Sequence, residues 1–385
     1  MIRLEERKKV ALLIESSSAY GRGLLKGITA YNKEHFKWSV MFKEYSRGGI
    51  DPNWLKDFKV DGIIARIESL EVAEAILKLN IPTVNLSSHF VHKDIPVLDI
   101  NDNKTAKIAA EHLMSCGFKH FGFCGTDYVW SERRSNSFKE ILSQSGFDVE
   151  VFQLKRRGEE VWSNEINLMK EWVEKLPKPI GIFAAYDAMA RRVIEACKSL
   201  HIMVPEQVAI LGVDNDEILC ELSDPQLSSI IPDSYKTGYN AAFILDDLMK
   251  GNMPEKNKIF VEPIGIAKRR STDIKAIDDV YISKALHFIH TYALKGITVA
   301  DVLKEIPQSR RVFEKQFKKL LGHSPHEEIQ NIRLQHVQEL LKTSSLTQAE
   351  IAERTGFSYV HYMNSAFKKK FGVTPGAFKK NRSQI

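Results

Sequence analysis

From Lys8 to about Arg269 short apolar runs alternate with amphipathic stretches, and beyond Arg269 the apolar runs stop. The runs predict strands at Val10 to Ile14, Trp38 to Phe42, Gly62 to Ala65, Thr83 to Leu86 and Val97 to Ile100. Between them, helices are expected at Gly23 to Glu34, Leu70 to Leu79 and Thr105 to Met114. The pattern continues with strands His120 to Cys124, Glu150 to Leu154, Gly181 to Ala184 and Val208 to Val213, interleaved with helices Glu132 to Gln144, Glu165 to Lys175 and Ala188 to Leu200. Such alternation builds parallel sheets with helices on both faces, because joining two parallel strands needs a crossover long enough to hold a helix. About 260 residues of it exceed one comfortable open sheet. The fold class expected is therefore α/β, as two doubly wound lobes with a cleft outside the carboxyl ends of their strands.

Residues 271–280 read as a polar linker, separating a two-lobed domain at 1–270 from an all-α domain at 281–385. Charge divides at the same place. Residues 281–385 hold 17 Lys and Arg against 8 Asp and Glu, whereas the rest of the chain holds 38 against 41. A folded basic segment with aromatic residues suits a nucleic-acid module.

That segment also repeats itself. Ile297-Thr-Val-Ala-Asp-Val-Leu matches Leu346-Thr-Gln-Ala-Glu-Ile-Ala at a spacing of 49, and Phe317-Lys-Lys, Gly322 and Pro325 match Phe367-Lys-Lys, Gly372 and Pro375 at 50. Each copy offers a short helix (Val299 to Glu305; Gln348 to Thr355), a tight turn and a longer helix (Ser309 to Leu321; Val360 to Phe371). This is the spacing of a helix-turn-helix, whose second helix fits the width of the DNA major groove. In the first longer helix Phe313, Phe317 and Leu320 are expected to face inward, leaving Arg310, Arg311, Glu314, Lys315 and Lys318 outward. In the second, Met363, Ala366 and Phe367 turn inward and leave His361, Tyr362, Asn364, Ser365 and Lys368 free. One exposed charged helix is ordinarily just solvated; two copies at one spacing argue for a DNA reader.

Other function classes find no support. Cys116, Cys124, Cys197 and Cys220 are scattered without a C-x-x-C pair, so buried reduced thiols are expected, with no metal and no cofactor. No stretch is long and apolar enough for a membrane partner, and the charged start lacks a small-residue cleavage site, which points to the cytoplasm. Gly21-Arg-Gly precedes a helix, but the next glycine is Gly27, and neither a P-loop nor a zinc-protease or serine-hydrolase motif occurs. The chain is not expected to be an enzyme.

Two resemblances then sharpen the reading. Ile351-Ala-Glu-Arg-Thr-Gly-Phe-Ser-Tyr and Tyr362-Met-Asn-Ser-Ala-Phe-Lys-Lys-Lys-Phe-Gly-Val-Thr-Pro-Gly-Ala-Phe resemble the AraC-type DNA-binding domain. The resemblance implies two helices entering successive major-groove segments, joined by a central helix at Pro325 to Lys342. Base readers would be Arg311, Glu314 and Lys315, then His361, Tyr362, Asn364 and Ser365; Lys318, Lys319, Lys368, Lys369 and Lys370 would hold phosphate.

Residues 8–270 resemble the periplasmic-binding-protein-like sensors of lactose-repressor-type regulators. The matching words include Val10-Ala-Leu-Leu-Ile-Glu-Ser-Ser-Ser-Ala-Tyr-Gly-Arg, Val60-Asp-Gly-Ile-Ile-Ala, Asn101-Asp-Asn and Val204-Pro-Glu-Gln-Val-Ala-Ile-Leu-Gly-Val-Asp-Asn. Such a sensor followed by an AraC-type reader resembles the bacterial xylose-operon regulators along essentially the whole chain, including Arg269-Arg-Ser-Thr-Asp. Glu15-Ser-Ser-Ser-Ala-Tyr-Gly-Arg and Ala65-Arg-Ile-Glu differ in charge from that family's pattern. The resemblance implies promoter DNA and a sugar, D-xylose, as partners, with a homodimer and a contact to RNA polymerase. Another sugar or a purine is the alternative effector.

Strand-end positions and the resemblance together suggest the ligand site: Ser17, Ser18 and Tyr20, then Arg66 and Glu68, then Ser87 and Ser88. From the second lobe come Trp130 and Arg133, Tyr186 and Asp187, and Asp214 with Asn215. Asp214 and Arg133 stand foremost, because the resemblance implies a charged residue at those points to grip a hydroxyl or carboxyl. Plainer roles compete: Asp214 as a turn cap, Arg133 as a partner of Glu132, and Ser17, Ser18 and Tyr20 as caps of the first helix.

Overall fold

A computed structural model of the chain describes residues 7–35, 37–45, 49–155, 162–273, 277 and 279–380. It divides into two compact units, Met1–Ile274 and Lys275–Ile385. Of the expected linker, residues 274–276 and 278 lie outside the described residues.

The first unit begins β1 (Lys8–Leu13), α1 (Ala19–His35), β2 (Trp38–Phe42), β3 (Gly62–Ala65), α2 (Leu70–Leu77), β4 (Thr83–Asn85) and β5 (Val97–Ile100). It continues as α3 (Asp102–Ser115), β6 (His120–Thr126), α4 (Val129–Gln144), β7 (Val149–Leu154), α5 (Trp162–Lys175), β8 (Ile180–Ala184), α6 (Asp187–Ser199) and β9 (Val208–Val213). Past the last strand read from the sequence come α7 (Glu217–Leu222), β10 (Ser228–Ile231), α8 (Ser234–Leu248), β11 (Lys258–Val261) and β12 (Gly265–Ala267).

These strands form two six-stranded sheets, in the orders β11-β5-β4-β3-β1-β2 and β12-β10-β9-β8-β6-β7. Pairing is parallel except where β12 runs antiparallel to β10. Every residue of β3, β8 and β9 is buried, because a parallel sheet is covered on both faces and its strands read as continuous apolar runs. The chain passes between the lobes three times: at Asn101, after Ile231 and around Pro263. Backbone bonds clip these crossings, from Asn101 N–H to the Val261 carbonyl at 2.9 Å and from Ile264 N–H to the Ile231 carbonyl at 2.9 Å. In the first lobe α1 and α8 approach at backbone range. A Cβ on Gly27 would stand 2.0 Å from the Tyr235 carbonyl oxygen, and one on Gly238 would stand 2.1 Å from that of Leu24.

The second unit is helical: α9 (Val280–Tyr292), α10 (Val299–Lys304), α11 (Arg310–Leu321), α12 (Pro325–Thr343), α13 (Gln348–Arg354), α14 (Val360–Phe371) and α15 (Pro375–Lys380). The sequence repeat becomes a structural one. Capping boxes start α10 at Thr298 with Asp301 and α13 at Thr347 with Glu350, each hydroxyl and carboxylate satisfying the other residue's free N–H. Gly322 and Gly372 end α11 and α14 in the left-handed conformation, at φ +85° and +77°. Phe313 and Phe317 are wholly buried, as are Met363 and Phe367 fifty residues on. Leu320, expected in the inward stripe, is instead 42% exposed. Leu320 keeps nearly the direction of Phe313, but it sits in the last turn of α11, one residue from the helix end, past the core that Phe313 and Phe317 fill. The buried Arg333 of α12 donates to the carbonyls of Ala293 at 2.8 Å and Ile297 at 2.7 Å while lying over the Phe357 ring, so the central helix ties both copies together.

Candidate functional site

In the first unit the carboxyl ends of both sheets face one cleft. Tyr20, Arg66, Asp99, Ile100, Trp130, Arg134, Tyr186 and Asp214 line a cavity with about 350 Å³ of empty space, the open solvent at its mouth included. Tyr20, Arg66, Asp99 and Ile100 come from the first lobe, and Trp130, Arg134, Tyr186 and Asp214 from the second.

Three buried charge groups shape this wall. Arg66 is 6% exposed; Nη1 donates to Glu15 and Nη2 to Glu68 at 2.6 Å. Burial works against its charge, but the two glutamates outweigh it and raise its pKa. Arg134 is 5% exposed and donates through Nε to Asp102 at 2.9 Å and through Nη1 to the Ala185 carbonyl at 2.6 Å, with its guanidinium over the Trp130 ring. Burial pushes the Asp102 carboxyl up to about 6 even beside this arginine. Asp99 accepts from Ser88 N–H at 2.7 Å, Ser88 Oγ at 2.6 Å and Ile100 N–H at 2.8 Å.

Two polar atoms of the wall are left over. The Tyr20 hydroxyl and Arg66 Nε are buried without a hydrogen-bond partner among the described residues. Burial, then the nearby Asp99, pushes the Tyr20 phenol well up, so it stays protonated and able to donate.

Asp214 directly follows β9 at φ +109°, and Asn215 comes next at +46°. Side chains rarely adopt that region, and strain of about 1–3 kcal/mol survives only where the surroundings enforce it, commonly at ligand sites. Asn215 points elsewhere: its Oδ1 accepts from Arg269 at 2.9 Å. Asp187 is also committed, with its carboxylate accepting from Ser229 Oγ at 2.6 Å and Asp216 N–H at 2.7 Å. Burial raises its pKa, and Gly212 makes room for it, since a Cβ there would stand 2.2 Å from Asp187 Oδ1.

Arg133 is half-buried and crosses the cleft to donate to Ser88 Oγ and, at 2.8 Å, to the Ser88 carbonyl; Ser87 turns into its own loop instead. Arg22 of α1 joins Asp216 at 2.9 Å, a second tie between lobes. A second cavity, with about 540 Å³ of empty space including open solvent, shares Tyr186 and Asp214 and adds Ser17, Ser18 and Asp216. Ser18 Oγ accepts from Gly21 N–H at 3.0 Å, the capping contact, and donates to Glu15 at 3.1 Å. Sequence reasoning missed Glu15, Asp99, Asp102 and Arg134; carboxylates at strand ends were the available signal.

In the second unit α11 and α14 present the expected outward side chains. Arg311, Lys315, Lys318 and Lys319 are exposed, as are His361, Tyr362, Ser365, Lys368 and Lys369. Arg310 pairs with Glu314 at 2.9 Å, Tyr362 accepts from Gln330 at 3.0 Å, and Asn364 donates to Gln348 at 2.9 Å. Lys370 is held by Asn331 Oδ1 at 2.7 Å. The positions of the first helix recur at fifty residues: Arg311 over His361, Glu314 over Asn364, Lys315 over Ser365 and Lys318 over Lys368.

Known proteins carry the same pieces. A XylR N-terminal domain matches residues 9–100, a periplasmic binding protein-like domain residues 110–272, and a helix-turn-helix domain residues 303–381. The xylose operon regulatory protein of Escherichia coli (strain K12) is 30% identical over 389 residues, covering 99% of both chains. That of Haemophilus influenzae is 28% identical, covering 98% of this chain and 99% of its own. The solved structure of the xylose-binding transcription activator XylR superposes with a TM-score of 0.84 at 28% identity, covering 98% of each chain.

Proposed function

The chain belongs to the family of xylose operon regulatory proteins, transcription regulators with a helix-turn-helix DNA-binding domain, and from that premise we propose that D-xylose in the interlobe cleft controls its hold on promoter DNA. The observation that carries this reading is the cleft wall. Arg66, Asp99, Arg134 and Asp214 offer donors and acceptors for vicinal hydroxyls, while Tyr20, Trp130 and Tyr186 offer faces for the apolar side of a sugar ring. The ligand residues would be Tyr20, Arg66, Trp130, Arg134 and Asp214, with Arg133 and Ser88 closing over them. Arg311, Lys315, His361 and Ser365 would read bases, and Lys318 and Lys368 would hold phosphate.

Sugar bound by both lobes favours the closed arrangement, and closure alters DNA affinity only through different ligand affinity for the two arrangements. On this reading the protein works as a cytoplasmic homodimer and an activator touching RNA polymerase; the similar solved protein is named an activator.

Thermal unfolding of the full-length protein with aldopentoses, hexoses and purines tests the effector. A ligand at a hundred times its Kd stabilises by about 2.7 kcal/mol. A rise with D-xylose above that with its epimers supports the reading. A rise confined to a hexose or a purine overturns D-xylose as effector.

A further inference from the structure

We propose that the Tyr20 hydroxyl and Arg66 Nε form a donor pair that reads one oxygen of an uncharged polyhydroxylated ligand, and that this pair sets the selectivity of the cleft. The inference rests on the sugar-binding reading and names the atoms that would discriminate among ligands. Both residues line the same cavity, and the Arg66 guanidinium lies 5.3 Å from the centre of the Tyr20 ring. Arg66 cannot turn to find another acceptor, because Glu15 and Glu68 engage its two terminal nitrogens. Its remaining N–H and the Tyr20 hydroxyl are buried with no acceptor among the described residues. Buried donors are seldom left this way, and two in one wall mark the place of an acceptor that arrives with the ligand.

The surrounding charge decides which acceptor fits. Glu15 and Glu68 flank Arg66, Asp102 pairs with Arg134, and Asp99 and Asp214 stand in the wall itself. Carboxylates outnumber these two arginines, so a carboxylate or phosphate on the ligand would meet net repulsion. A hydroxyl suits the place better. It accepts from both donors and keeps its own hydrogen for the neighbouring Asp99 carboxylate. A sugar acid or sugar phosphate has the acceptor but carries the wrong charge.

The test uses the full-length protein, Tyr20→Phe, Arg66→Lys and the double variant. Titration calorimetry and thermal unfolding would be run with D-xylose, D-ribose, D-glucose, D-xylonate and D-xylose 5-phosphate. Tyr20→Phe deletes only a hydroxyl that has no partner among the described residues, so free protein should melt no earlier than wild type while binding its sugar about tenfold more weakly. Arg66→Lys keeps a cation between the two glutamates but loses Nε–H, and should weaken binding similarly. If both donors share one oxygen, the double variant loses less than the product of the single losses. Wild type should bind both anionic probes at least tenfold more weakly than the preferred neutral sugar.

Wild-type affinity in Tyr20→Phe, or an anionic probe bound as tightly as a neutral one, overturns the pair while leaving D-xylose standing. Binding of D-ribose or D-glucose in place of D-xylose, still dependent on Tyr20 and Arg66, overturns the D-xylose reading and supports the pair. Absence of binding to every probe overturns both.

Discussion

Replacing Arg134 with Met keeps most of the side-chain volume and removes the charge from the cleft wall. Arg134 is 5% exposed, as is Asp102, and they meet at 2.9 Å. The variant strands Asp102 in the interior and leaves the Ala185 carbonyl without the 2.6 Å bond it receives. Removing one partner of a buried pair costs about 3–5 kcal/mol, far above the ~1 kcal/mol expected of a surface bridge. The stranded carboxyl has one escape, which is to take up a proton. Burial already holds its pKa at about 6 with the arginine present, and without it the value rises further. The cost of Arg134→Met should therefore be fullest near pH 8 and shrink near pH 5, and adding Asp102→Asn should recover much of it at pH 8. Urea unfolding of the full-length variants at both pH values, followed by tryptophan fluorescence, measures these differences. A loss below about 1 kcal/mol at pH 8, or an equal loss at both pH values without relief from Asp102→Asn, would refute a buried ion pair as the organiser of this wall.

Three further outcomes are expected. In wild type, Asp102 binds its proton more tightly folded than unfolded, so its contribution stabilises the fold below about pH 4 and fades as pH rises through about 6, by roughly 3 kcal/mol; Asp102→Asn should remove that slope from the stability–pH curve, and an unchanged slope would contradict the assignment. Phe317→Ala and Phe367→Ala empty equivalent, fully buried positions, so each should cost about 3–5 kcal/mol in calorimetric unfolding of the helical unit and abolish tight DNA binding; a cost confined to one copy would break the equivalence. Arg311→Ala should lower affinity for a selected site by roughly 1–3 kcal/mol and relax preference at one base pair, whereas Lys318→Ala should weaken all sequences alike and flatten the salt dependence; identical behaviour of the two would remove Arg311 from the base readers.

Much of this architecture was legible because it is written in short-range periodicity. The repeat at 49 and 50 residues sets α10, α11, α13 and α14, since capping boxes and left-handed glycines are local signals. Alternating apolar runs likewise revealed β1 to β9. The end of the first unit was harder. β11 joins β5 in the first lobe and β12 joins β10 in the second, pairings that span more than a hundred residues in one case and that no local pattern encodes.

In the cleft, the sequence drew attention to Arg133, but its neighbour Arg134 lines the cavity. Which of two adjacent arginines turns inward depends on the rotational setting of α4, fixed by Ser131, Ser135 and Phe138 packing inward on the same face. Asp99 escaped notice because a carboxylate inside a buried strand makes sense only once Ser88 is seen donating to it twice. Asn215 and Lys370 show the reverse: suitable chemistry at a suitable position, engaged by Arg269 and Asn331 respectively.

The most direct test of the account measures sugar and DNA together on the full-length protein. A promoter fragment chosen by selection from random DNA would be titrated by fluorescence anisotropy with and without saturating D-xylose, and D-xylose would be titrated with and without that DNA. The account predicts that sugar changes DNA affinity by about five- to 150-fold and that DNA changes sugar affinity by the same factor, as linkage requires. Tight sugar binding and tight DNA binding with no effect of either on the other would contradict it.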